Sequence, residues 1–188
     1  MKKYKLIKLL FSLIAFVGMF SNAYQVKADS SIQSSATGKI SKNKKMNFSQ
    51  IKKGNYASLL GKWKEVGAMH NAYDGKGITW YKLNPKYLET LKVTKHRIKL
   101  NAGYVVFHGN TMTDENKKKR KLKFSKYRKS LGAVSDGAIL WEIDYYPKNV
   151  PIYDDKYHRK QPKEIDNKKD RIVISCSNMG STAVFQRN

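Results

Sequence analysis

Alternation of apolar and polar positions is clearest over residues 138–146. Ile139, Trp141, Ile143 and Tyr145 share one face of a strand there, and Leu140, Glu142, Asp144 and Tyr146 share the other. Pro147 ends the strand, because it has no N–H to give to a ladder. The same period of two returns over 171–176 and 182–187. Ile172, Ile174 and Cys176 share a face of the first, and Ala183, Phe185 and Arg187 a face of the second, with residues 177–181 as a five-residue hairpin loop. Shorter strand-like pieces fall at 62–66, 78–81, 91–94, 97–100, 103–108 and 121–127. Residues 46–60 read as a short helical approach. Ser49 caps a turn containing Ile51, Asn55 caps 56–60, and Gly54 separates the two. Residues 67–85 read mostly as loop, 113–121 as a charged turn, 130–137 as a turn region and 149–169 as a long polar excursion. Many short strands, one weak helix and turn signals between them predict an all-β fold, a small antiparallel β-barrel with a short N-terminal helix. Closing the sheet removes the exposed edges that such a chain otherwise presents.

The first residues belong to a different pattern. Lys2, Lys3, Lys5 and Lys8 precede an uncharged run over 9–20, and Val26-Lys27-Ala28 places small residues where a signal peptidase reads. This predicts a signal peptide over 1–28, cleaved after Ala28, with an apolar run short for a membrane span. Residues 29–45 are Ser-, Lys- and Gly-rich and predict a disordered linker, leaving 46–188 as the β-barrel domain. Cys176 is the sole cysteine of 188 residues. The reading therefore holds no internal disulfide, no lipid-modified cysteine after the signal and no four-cysteine zinc site.

Charge sets the partner class. Removing the five lysines of residues 1–28 from the formal charge of +24 leaves +19, since that segment holds no acid. A charge of that size favours anionic surfaces. For a secreted chain these are anionic cell-surface polymer, lipid headgroups, glycosaminoglycans or released nucleic acid.

Gly61-Lys62-Trp63, following a helical turn and opening the first strand, together with Arg187 at the end of the chain, resembles the calycin (lipocalin-like) barrels. The resemblance implies that Trp63 closes one end of the barrel, that Arg187 packs across it, and that Gly61 admits the chain to the strand. A guanidinium over an indole face is worth about 0.5–2 kcal/mol. The Thr-Asp-Tyr signature of lipocalins does not stand in mid-chain. The chain also resembles an uncharacterised family of secreted and lipoprotein-type domains of unknown function from Gram-positive bacteria. That likeness covers most of 46–188. It rests on Asn55-Tyr56-Ala57-Ser58-Leu59-Leu60-Gly61-Lys62-Trp63, Tyr146-Pro147-Lys148-Asn149-Val150, Asp170-Arg171-Ile172, and Phe185 with Arg187. It implies no activity.

The strongest surface feature is the run Lys117, Lys118, Lys119, Arg120 and Lys121, continued by Lys123, Lys126, Arg128 and Lys129. Phe124 and Tyr127 interleave it, as in grooves for single-stranded nucleic acid, although the spacing matches no specific nucleic-acid motif. The run reads either as a polyanion-binding patch or as a solvated strand edge protected by lysines. Trp141, Tyr145 and Phe185 are candidates to line a cavity. An eight-stranded barrel holds one small ligand or is filled by its own side chains. Glu142 and Asp144 share a strand face about 7 Å apart, a separation that some glycosidases use and that solubilising groups share. His70, His96, His108 and His158 show no metal-ligand spacing, and neither Gly-x-Ser-x-Gly nor His-Glu-x-x-His occurs. No catalytic residue, metal or cofactor is assigned. The sequence predicts a secreted, extracellular, cationic and non-enzymatic binding module that associates with anionic cell-surface polymer or holds a small hydrophobic ligand. Two alternatives stand beside it: an extracellular hydrolase of cell-wall polymer, and a protein-interaction or adhesin-type module.

Overall fold

The computed structural model describes residues 44–188, apart from 72, 76, 153–160 and 178–179. The predicted signal peptide, most of the predicted linker and His158 lie outside the described residues. All described residues belong to one compact unit, Gly38–Asn188.

The fold is all-β. Eleven strands form one antiparallel sheet: β1 (Trp63–Asn71), β2 (Ile78–Tyr81), β3 (Leu91–Val93), β4 (Ile98–Leu100), β5 (Val105–His108), β6 (Thr111–Thr113), β7 (Lys119–Tyr127), β8 (Ser130–Ser135), β9 (Trp141–Tyr146), β10 (Arg171–Cys176) and β11 (Ser181–Arg187). Their order is β2-β1-β11-β10-β9-β8-β7-β6-β5-β4-β3. The sheet curls until β3 lies beside β1. β2 pairs only with Ala68–Asn71 of β1, so the first half of β1 is left for that approach. Side chains bridge the seam: the buried Glu65 carboxylate accepts the N–H of Glu89, and Glu89 accepts the Asn101 carboxamide. Burial raises the Glu65 pKa, the Glu89 N–H bond lowers it and the Glu89 charge raises it again.

The period of two sorts the side chains. Leu131, Ala133, Trp141, Ile143, Tyr145, Ile172, Ile174, Ala183 and Phe185 point into one core with Ile98, Val105, Phe107 and Met112 from the far strands. Helix α1 (Phe48–Lys52) and the 3₁₀ turn Ala57–Leu59 bring Ile51, Tyr56 and Leu59 into that core. A second apolar cluster lies on the opposite face of the sheet. There Val150, Ile152 and Ile165 of the 149–169 excursion cover Val66, Tyr146, Val173 and Val184.

Four local expectations change. Asn47, not Ser49, caps α1, its side chain accepting the N–H of Gln50 at 3.0 Å. β1 runs to Asn71, well beyond residue 66. Residues 130–135, read as a turn region, are β8 and almost wholly buried. Their small side chains suit tight packing, and Gly132 is a glycine because the Asp144 carboxylate occupies its outer side: a Cβ there would lie 2.5 Å from Asp144 Oδ1. Thr111–Thr113 pairs as β6, a strand too short to show a period. It leads into a turn held by Asp114, whose Oδ1 accepts the N–H groups of Asn116 and Lys118.

Candidate anion-binding face

Trp63 and Arg187 meet at one end of the curled sheet. They are cross-strand partners in register, and the guanidinium stands 5.1 Å from the Trp63 ring centroid. The same guanidinium donates to the carbonyls of Ser58 at 2.6 Å and Lys44 at 3.3 Å, and pairs with Asp170 at 3.3 Å. The Trp63 indole N–H donates to the Leu59 carbonyl at 2.9 Å. Gly61 has a φ of +144°, which side-chain-bearing residues rarely adopt, and a Cβ there would lie 3.7 Å from the Arg187 stem.

Trp141, Tyr145 and Phe185 are packed in the core, with 6%, 1% and 0% of their surfaces exposed. Tyr145 meets the Tyr56 hydroxyl, which also accepts the N–H of Gly109 at 2.8 Å. Burial raises the Tyr145 hydroxyl pKa well above its usual range. The outer groove and the cationic cleft described below are lined by other residues.

Strand alternation divides the basic run. Lys119, Lys121 and Lys123 lie on the outer face of β7 and are exposed. Arg120 lies on the other face and is tied to Asp114 at 3.0 Å, which removes it from the patch. Leu122 and Phe124 pack toward the core, so Phe124 is not interleaved with the lysines on one surface. Lys117 and Lys118 sit in the turn before β7 and Lys126 near its end. Arg128 and Lys129 form the hairpin turn to β8, where the Arg128 guanidinium stands 5.2 Å over the Tyr127 ring.

The register adds cations that linear reading missed. Lys92 pairs with Lys99, Lys99 with Val106, Val106 with Thr113 and Thr113 with Lys119, so three lysines occupy one row across five strands. In the adjoining row, His108 pairs with Thr111 and Thr111 with Lys121. Arg97 precedes β4 and lies near His108. Asp136 accepts the Lys121 backbone N–H at 3.0 Å and is an acid at the border of this field. The alternation of Lys92 and Lys99 with buried neighbours was visible in the sequence. The pairing that aligns them with Lys119 was not.

Past Lys123 the outer face changes sign. Lys123 pairs with Val134 and Val134 with Glu142, while Ser125 pairs with Gly132 and Gly132 with Asp144. Glu142 and Asp144 line a groove of about 580 Å³ with Tyr127, Tyr146, Ser175 and Thr182. Burial, then the neighbouring Glu142 charge, pushes Asp144 up to about 7. An unfolded Asp titrates near 3.9, so the folded chain holds this proton more tightly and loses stability as pH rises from about 4 to 7. Asp144→Asn is expected to match the parent near pH 4 and to exceed it at pH 8. The gain is about 2–3 kcal/mol, below the full linkage value because water reaches the groove. Urea unfolding at the two pH values checks this, and a difference that does not grow with pH contradicts it.

Among the described residues no three His, Cys, Asp or Glu side chains gather as a metal site, and no helix is long and apolar enough to cross a membrane. Comparison of the chain with protein-family models, with curated proteins and with solved structures gave no match.

Proposed function

We propose that this chain is a secreted, non-enzymatic, cationic barrel module that docks on anionic cell-surface polymer through the outer face of β3 to β7. The observation that carries the reading is the row Lys92, Lys99 and Lys119 beside Lys121 and Lys123. Like charges directly opposite one another weaken a sheet. A chain that keeps Lys92 against Lys99 accepts that cost, and a bound polyanion would offset it. Neighbouring strands are about 4.8 Å apart and same-face residues about 7 Å apart along a strand, so the lysines form a regular array on the curved outer face, suited to a repeating anionic chain rather than to one small ligand. The packed interior around Trp141, Tyr145 and Phe185 weighs against the small hydrophobic ligand.

The test is retention on teichoic acid as ionic strength rises, for the parent and for the Lys119→Gln, Lys121→Gln, Lys123→Gln triple variant. Each lysine near an anionic surface is worth about 1 kcal/mol, so the triple variant should bind roughly 100-fold more weakly at low salt. Its salt dependence should be shallower, and its thermal unfolding unchanged, since all three side chains are exposed. Equal binding by the two proteins, or binding indifferent to salt, defeats the proposal. The hydrolase alternative has one observation in its favour, the Glu142 and Asp144 pair in the outer groove. Cleavage of wall polymer by the parent, lost in Asp144→Asn, would replace the first reading with that one.

A further inference from the structure

Beyond the lysine rows, three separate segments bring cations and hydrogen-bond donors to one cleft. Lys52 and Lys53 come from the end of α1, His96 and Arg97 from the β3–β4 turn, and His108 and Asn110 from the β5–β6 turn. Together they line a concavity of about 640 Å³. The fold builds this convergence. Gly54 and Gly109 meet backbone to backbone, both at positive φ, and a Cβ on either would lie 3.2–3.3 Å from the other's main chain. Tyr56 clamps both turns, its backbone N–H donating to the Lys95 carbonyl at 2.7 Å and its hydroxyl accepting the Gly109 N–H. The clamp sets the end of α1 against the two turns, and among the described residues no carboxylate lines the cleft.

We propose that this cleft binds a phosphate group carrying two negative charges, as in a phosphomonoester. Lys52, Lys53 and Arg97 line one space with three positive charges, which suits a dianion better than the single charge of a phosphodiester. The planar guanidinium of Arg97 matches two phosphate oxygens at once, and the Lys52 and Lys53 ammonium groups supply point charges. The His96 and His108 rings and the Asn110 carboxamide give further donors. Burial, and then the charges of Arg97 and Lys119, hold the His108 pKa below its usual value. The site goes beyond the polymer-docking face and can fail while that face stands.

The experiment follows the amides of Gly54, Gly109 and Asn110 and the His96 and His108 ring protons of the full chain by NMR during titration with inorganic phosphate. Saturable shifts confined to these groups are expected. Binding should be weakened at least about 10-fold in Arg97→Gln and in Lys53→Gln, both exposed positions whose change leaves the fold intact. A Lys121→Gln, Lys123→Gln double variant, which leaves Lys119 beside His108 in place, should keep the phosphate shifts while weakening polymer retention. Dimethyl phosphate, with one charge, should bind at least about 5-fold more weakly. Vesicles containing phosphatidic acid, compared with phosphatidylglycerol, separate the two sources. Phosphate-displaceable binding to the first alone identifies a lipid headgroup, and no vesicle binding identifies soluble phosphate. Shifts that rise linearly without saturating, that persist in Arg97→Gln, or that vanish in the Lys121, Lys123 double variant overturn the proposal.

Discussion

Arg187→Ala is expected to cost about 3–4 kcal/mol and to lower Tm by on the order of 10 °C for a domain of this size. The guanidinium is 5% exposed and serves several groups at once. It lies over the Trp63 ring, takes the Ser58 and Lys44 carbonyls and pairs with Asp170. Truncation leaves those carbonyls short of a donor and leaves Asp170 with the Lys148 N–H but without its ion pair to Arg187. Losing one partner of a buried pair costs more than the pair contributes, because the other charge stays desolvated. Arg187→Lys keeps the charge but not the planar fork, so it should recover less than half of the loss. Urea unfolding followed by tryptophan fluorescence measures both variants. A loss below about 1 kcal/mol in Arg187→Ala would mean that Trp63 and the Leu59 carbonyl seal this end of the barrel unaided.

That seal was legible because it is local at each end: Gly61-Lys62-Trp63 before a strand, and an arginine two residues after Phe185. The terminal hairpin was legible for the same reason, since six residues of clean alternation place Ile172, Ile174 and Cys176 on the core side without knowledge of the partner strand. β8 was not. Its Gly132 and Ala133 carry the composition of a turn, and the reason for Gly132, the Asp144 carboxylate lying over it, belongs to the neighbouring strand. The candidate face divides in the same way. Lys117 to Lys129 stand out as a run, but which of them share a surface depends on alternation, and which other cations join them depends on register. Lys92 and Lys99 reach Lys119 through two intervening strands. The cleft of Lys52, Arg97 and His108 depends on the Tyr56 clamp, which joins residues 53 apart in sequence.

Arg171→Ala should be the most damaging single change, at about 4–5 kcal/mol, and its first effect should be local. The side chain is fully buried. One terminal nitrogen donates to the carbonyls of Lys169 at 2.8 Å and Asp166 at 3.2 Å, and the other to those of Val150 and Pro147. Burial lowers its pKa, and the charges of Asp170 and Asp166 act in the opposite direction. One guanidinium thus fastens both ends of the 149–169 excursion, whose Val150, Ile152 and Ile165 shield the second apolar cluster. Without it the Val150 and Lys169 carbonyls lose their donor, those of Pro147 and Asp166 keep only a backbone N–H, and the excursion loses this hold on β10. Hydrogen exchange should show the N–H of Asn149 and Ile165, bonded within that segment, opening well before Ile143 and Ile174 in the barrel wall. Arg171→Met separates packing from hydrogen bonding. It restores volume and apolar contact but no donor, so it should recover little, because buried carbonyls left unmade each cost about 1–3 kcal/mol. Full recovery by methionine would show that the residue is needed for its bulk. The excursion would then be held by its apolar contacts with Val66, Tyr146, Val173 and Val184 alone.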